Sequence, residues 1–76
     1  HKSLNNEEAK KMAEKMGFRL EKNPPFKSHG KLVFRKGNVY ISADRTGHKG
    51  GIWKVFKRGE GRLGTWNADL TKRIGD

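Results

Sequence analysis

The sequence predicts an α+β domain, with one N-terminal helix packed on a twisted antiparallel β-sheet of four to five strands. Three observations carry this expectation. Ala9, Met12, Ala13 and Met16 fall at i, i+3, i+4 and i+7, a single apolar helical stripe. From Lys31 onward the pattern changes to short runs of β-branched and aromatic residues punctuated by glycine. The connections between those runs are too short for helical crossovers, so neighbouring strands must run antiparallel.

The helix is expected over about 6–16. Asn5 can cap it, Glu8 lies three residues on as in a capping box, and Gly17 supplies the stop. Asn23-Pro24-Pro25 then breaks the chain, giving an extended linker over 23–30. Strands are expected over 31–35 and 38–43, around the turn residues Lys36-Gly37, and over 52–57. Arg58-Gly59-Glu60-Gly61 is a turn, 62–66 a fourth strand and 70–74 a short fifth, so the sheet occupies 31–76. One sheet face must pack on Met12 and Met16, and the other can be wet and basic. Most of the seven aromatic residues must pack. Tyr40 and Trp66, beside basic strand positions, are the two that could instead stack on bases.

Seventy-six residues make one domain, 1–76, and a monomer is expected. A chain this short buries only roughly 60% of its unfolded surface, so its core is thin. The apolar fraction is 32%. No run approaches the ~18 apolar residues of a membrane span, so membrane insertion is not expected. No charged-then-apolar leader is expected either. There is no cysteine, which excludes disulfide scaffolds, thiol nucleophiles and thiolate zinc sites.

The charge is uneven. Eighteen Lys+Arg against eight Asp+Glu give a net +10. Residues 27–58 hold nine of those cations (Lys27, Lys31, Arg35, Lys36, Arg45, Lys49, Lys54, Lys57, Arg58) and one acid, Asp44, a block of +8. Such a block is either a solvated face or a polyanion site, and its density favours the polyanion. Nucleic acid fits better than membrane, because the block is not an amphipathic helix. A lone Asp44 among nine cations weakens polyanion binding and must contribute locally as a turn cap, an ion pair or chemistry.

The chemistry-bearing residues cluster there. His48 follows Asp44 by four residues, flanked by Gly47, Gly50 and Gly51, which let backbone approach a ligand closely or simply make a flexible loop. His29 lies in Lys27-Ser28-His29-Gly30. Asp44 with two histidines is not a convergent ligand set, so neither metal nor other cofactor is expected. RNA cleavage by the 2′-hydroxyl needs a base, an acid and cations for the developing charge on phosphorus. Asp44, His48 and Lys54 supply those types, with Asp44 able to orient His48 or keep it protonated. Lys27, Arg45 and Arg62 could bind flanking phosphates.

Several spaced runs carry a resemblance. These are Ser28-His29-Gly30, Tyr40-Ile41-Ser42-Ala43-Asp44, Gly47-His48-Lys49-Gly50-Gly51-Ile52-Trp53-Lys54, Arg62-Leu63-Gly64-Thr65-Trp66-Asn67 and the ending Arg73-Ile74-Gly75-Asp76. Over 28–76 the chain resembles the C-terminal toxin domains of bacterial polymorphic toxins, including the tips of contact-dependent growth inhibition CdiA proteins. It is also similar to the ribonuclease domain of the rRNA-cleaving colicin. The resemblance implies an antibacterial ribonuclease that cuts 16S rRNA in the 30S decoding site and blocks translation, and attack by the 2′-hydroxyl needs no metal. It implies delivery at the tip of a secreted or cell-surface exoprotein, action in the target cytoplasm, and a cognate immunity protein, expected to be acidic. The family's acid, histidine and basic strand position carry onto Asp44, His48 and Lys54. RNA contacts are expected at Lys27, His29, Arg45, Thr46, Lys49, Arg62 and Trp66.

The chain departs from its relatives in two places. Thr46 stands where related toxins often have a second acid, and Gly50-Gly51-Ile52 offers no carboxylate where the colicin has a glutamate. Two assignments therefore stay open. Either Asp44 is the base and His48 the acid, or His48 is the base and Lys54 assists the leaving oxygen. A tRNA-cleaving toxin and a non-catalytic basic RNA-binding module are the alternative functions. The module would not need Asp44 and His48 together. A DNA-binding or DNA-cutting domain fits least, because no recognition-helix pattern follows the first helix.

Overall fold

The structure is a computed structural model and describes residues 6–26, 31–43 and 53–75. Helix α1 spans Asn6–Lys15. Six strands follow: β1 Arg19–Glu21, β2 Val33–Lys36, β3 Val39–Ala43, β4 Trp53–Lys57, β5 Gly61–Trp66 and β6 Arg73–Gly75. They form one sheet in chain order, every neighbouring pair antiparallel. The α+β expectation holds, with six strands in place of four to five.

The helix forms where its ends are chemically matched. Glu7 and Glu8 lie in the first turn and Lys15 in the last, each sign facing the favourable end of the helix dipole. The expected cap Asn5 lies outside the described residues. At the other end Gly17 adopts φ +88°. Its N–H donates to the Glu14 carbonyl at 3.0 Å, and Phe18 N–H donates to Ala13 at 2.9 Å. This reciprocal pair closes the helix by satisfying carbonyls left over from its last turn. Lys36 ties the sheet to the same end, with Nζ donating to the Met16 carbonyl at 3.1 Å.

The face of the helix against the sheet is Ala9 and Ala13, both fully buried. Met12 and Met16, expected at the centre of that contact, are only partly buried against its flanks. The small alanine side chains let the helix axis come close, which pushes the longer methionines to the sides. Beneath lie Phe18, Phe34, Ile41, Trp53 and Val55. Phe34 and Trp53 meet edge to face, centroids 6.2 Å apart, a favoured aromatic geometry.

β1 is the strand the sequence does not announce. Three residues, two of them charged, give no readable alternation. It forms because β2 offers an open edge, with Leu20 opposite Phe34 and an Arg35–Glu21 ion pair at 3.3 Å across the pair. Of the expected linker, 23–26 is irregular and 27–30 lies outside the described residues. The expected fifth strand begins later, at Arg73, because 67–72 is committed to a turn built around Asn67. Asn67 Oδ1 accepts from the backbone N–H of Thr71 at 2.9 Å and of Lys72 at 3.0 Å. Leu70 takes φ +60° there. The same turn presents the Ala68 carbonyl to Trp53 Nε1 at 2.9 Å, which satisfies the buried indole.

β5 carries a bulge. Val55 pairs with Gly64 and Phe56 with Arg62, which leaves Leu63 as the extra residue. Gly64 has φ +95°, and a Cβ there would collide with the Gly75 carbonyl oxygen and the Arg73 guanidinium.

Two predictions follow from these constraints. Gly64→Ala should cost at least about 2 kcal/mol from left-handed strain plus overpacking, a fall of ~10 °C or more in a domain of this size. Gly59→Ala, also at positive φ but with open space around it, should cost about half as much. Thermal melts followed by circular dichroism compare the two. In the Asn67 turn, Thr71 Oγ1 donates to Asp69 Oδ1 at 2.6 Å, which holds the Asp69 carboxyl below its ordinary range. The bond favours the ionised form, so its contribution is present above the unfolded pKa and lost as pH falls through the folded one. Thr71→Val should raise the Asp69 midpoint towards its ordinary value, read by carboxyl-carbon NMR titration.

Candidate nucleic-acid interface

Side chains alternate across a strand, so the residues between the core positions point away from the helix. On that second face the register aligns Val33, Ser42, Lys54, Thr65 and Gly75 across five strands. A second row aligns Arg35, Tyr40, Phe56 and Arg62. Directly opposed residues in an antiparallel pair have Cβ atoms roughly 4.5–5.5 Å apart. Lys54 therefore lies between two hydroxyl side chains, with Ser42 only 5% and Thr65 only 7% exposed.

This row is the chemically distinctive feature of the sheet. Lys54 is half-buried, a cation framed by two buried hydroxyl side chains. Arg35 and Arg62 add positive charge in the next row. Arg58, at the end of β4, donates from its guanidinium to the Tyr40 hydroxyl at 2.8 Å. That bond favours the charged guanidinium and raises the Arg58 pKa above its ordinary value. Phe26 covers part of this face, stacked on Phe56 at 4.1 Å between centroids and edge-on to Tyr40 at 5.9 Å.

The structure brings some of the expected residues together and separates others. Lys54 and Arg62 share the second face. Trp66 is opposite Trp53 on the helix face, packed against the core with its indole N–H donating to the Leu63 carbonyl at 2.9 Å. Tyr40 is buried at 2% exposure, so it is a wall of this face rather than an open stacking platform. Asp44, Arg45, Thr46, His48 and Lys49 lie outside the described residues, as do Lys27 and His29. Chain connection alone ties the first five to the site. Residues 44–52 leave Ala43 and return at Trp53, and those two are paired neighbours. Lys54 follows that return by one residue.

Ser42 and Thr65 are polar residues the sequence reading did not assign to the site. Their signal is weak: one Ser in Val39–Ala43 and one Thr in Gly61–Trp66. Only the register shows that both flank the same lysine. Among the described residues no group of three or more His, Asp or Glu side chains could hold a metal ion.

The comparisons with known proteins agree with this architecture. The curated 16S rRNA endonuclease CdiA of Enterobacter cloacae subsp. cloacae is 35% identical over 74 residues, 92% of this chain. The chain spans about 2% of the length of that relative. Among solved structures, the CdiA-CT/CdiI toxin and immunity complex from Enterobacter cloacae matches with TM-score 0.70 and 35% identity, covering 96% of this chain and 100% of that one. The resemblance read from the spaced motifs is thus borne out. The model of the Ntox21 family, Novel toxin 21, matches residues 11–76, and the chain belongs to that toxin family.

Proposed function

We propose that this chain is the ribonuclease module of a contact-dependent growth inhibition toxin, cutting 16S rRNA in the decoding site of the 30S subunit. The observation that carries the reading is the Ser42–Lys54–Thr65 row. It sets a framed cation one residue from the segment that holds Asp44 and His48. The 16S rRNA endonuclease name of the 35%-identical relative supports the choice of target.

The reaction needs only groups this chain carries. A base removes the proton of a ribose 2′-hydroxyl, and the oxygen attacks the adjacent phosphorus. The P–O5′ bond breaks, and an acid gives its proton to the departing O5′. The products are a 2′,3′-cyclic phosphate and a 5′-hydroxyl. Lys54 offsets the charge that builds on the non-bridging oxygens. Asp44 and His48 divide the base and acid roles, or His48 is the base and Lys54 assists the leaving oxygen. Lys27, His29, Arg45, Thr46, Lys49 and Arg62 hold flanking phosphates, and no metal takes part. Trp66 contributes from the opposite face, by fixing the strand that carries Thr65.

The partner is a cognate immunity protein, acidic enough to meet the +8 block. The toxin and immunity complex of the structural relative supports this. Delivery would be at the tip of a long surface exoprotein, since the matched relative is some fifty times longer by the 2% coverage, with action in the cytoplasm of the target cell.

Two outcomes are expected. Added to intact ribosomes in excess EDTA, the chain should release one discrete 3′ fragment of 16S rRNA on a denaturing gel. Asp44→Ala, His48→Ala and Lys54→Ala should each slow that cut by roughly 10²–10⁴-fold. Cleaved tRNA beside intact rRNA would move the target, and loss of cutting in EDTA alone would refute the metal-free mechanism. Association with the immunity protein should slow as salt is raised from low to physiological ionic strength, because charge steers the encounter. A rate independent of salt would remove the electrostatic account of that interface.

A further inference from the structure

The face that carries Lys54 continues beyond the polar row. Phe56 lies two residues along β4 on the same face, about 6.6 Å further on. Its ring is half-buried, and Phe26 stacks on it with planes 22° apart. Phe26, Tyr40, Phe56 and Arg58 line a groove of about 200 Å³, with Gly59 and Gly61 at its rim. That is smaller than the roughly 300–1,000 Å³ of pockets for drug-sized ligands. It suits one flat ring.

The chemistry of the lining narrows the occupant. The rings offer π faces, which accept any base without reading its edge. Arg58 is exposed and spends one donor on Tyr40. A guanidinium has five donors, so that bond anchors the group at one nitrogen and leaves others for a phosphate. Gly59 and Gly61 have open space where a Cβ would stand, so ligand can approach the turn backbone closely. A purely apolar ligand would leave the anchored guanidinium without purpose, and a free anion would leave the aromatic wall without one.

We propose that this groove is a nucleobase subsite. One unpaired base of the RNA lies against the Phe26–Phe56 stack, and its phosphate meets Arg58. The subsite rests on the ribonuclease reading of the Lys54 face. It is one strand repeat from Lys54, so it takes a nucleotide close to the scissile phosphate and requires it to be unpaired. The target must then present single-stranded or splayed-out bases there, as sequence-selective RNA recognition generally does.

A single-stranded 2′-O-methyl RNA decanucleotide tests this, because it lacks the attacking hydroxyl and isolates binding from cleavage. Affinity is read by fluorescence anisotropy, with an abasic residue walked through every position. The expected result is one position where the abasic residue weakens binding about tenfold, the size of one lost stacking contact. Phe56→Leu and Arg58→Gln should each weaken binding of the intact RNA by a similar factor, and Phe56→Leu should abolish the abasic penalty. A merely structural Phe56 would lower the melting temperature and leave that penalty in place, which overturns the subsite. Arg58 is exposed, so Arg58→Gln keeps the core and provides an independent check. Equal binding by both variants, with no sensitive position, also overturns the subsite. If the same chain still cuts rRNA, the ribonuclease reading survives that result. If it neither binds nor cuts RNA, both fall.

Discussion

The β3–β4 register is the constraint on which the site depends. Ile41 opposite Val55 and Ala43 opposite Trp53 are held on one face by the helix alanines and Phe34. Because strand side chains alternate with period two, Ser42 and Lys54 are forced together on the other face. A slip of one residue would put Lys54 into the apolar core and Trp53 into solvent. Burial of the Trp53 ring, with its N–H satisfied by Ala68, opposes that slip strongly. Packing on one side therefore positions a cation on the other, without any direct bond to the lysine being required.

The bulge in β5 does the same work one strand further on. Arg62 and Trp66 are four residues apart, and in an unbroken strand both would face the same way. The extra residue at Leu63, made possible by the positive φ of Gly64, inverts the phase between them. Arg62 stays beside Phe56 while Trp66 turns to the core. Simple alternation along β5 would place both on one surface. Only pairing with β4 reveals the inversion, and pairing is a long-range fact.

Local signals, by contrast, were legible. The helix stripe, its Gly17 stop and the strands carrying Phe34, Ile41, Val55 and Thr65 follow from spacing and turn residues within a few positions. β1 was not legible, because Arg19-Leu20-Glu21 has no pattern of its own and is a strand only through its neighbour. The later start of β6 follows from the Asn67 side chain capturing two backbone N–H groups, a competition between turn and strand that composition does not reveal. Of the site, the lysine and its strand could be read, whereas the hydroxyl frame around it needed three strands in register.

Charge sets the remaining balance. Arg19 lies directly opposite Arg35 across β1 and β2, a like-charge pair that disfavours the edge. Glu21 relieves it through an ion pair with Arg35. That pair is half exposed on the arginine side, so solvent screening leaves it at most about 1 kcal/mol. Over a whole chain of net +10, self-repulsion works against a thin core. Any polyanion or acidic protein that binds the folded chain, and not the unfolded one, removes part of that repulsion and adds stability by mass action. The same arginines and lysines that weaken the isolated domain would thus strengthen it on any such partner. Affinity and stability are then coupled through one set of side chains, and the coupling is strongest at low salt, where those charges are least screened.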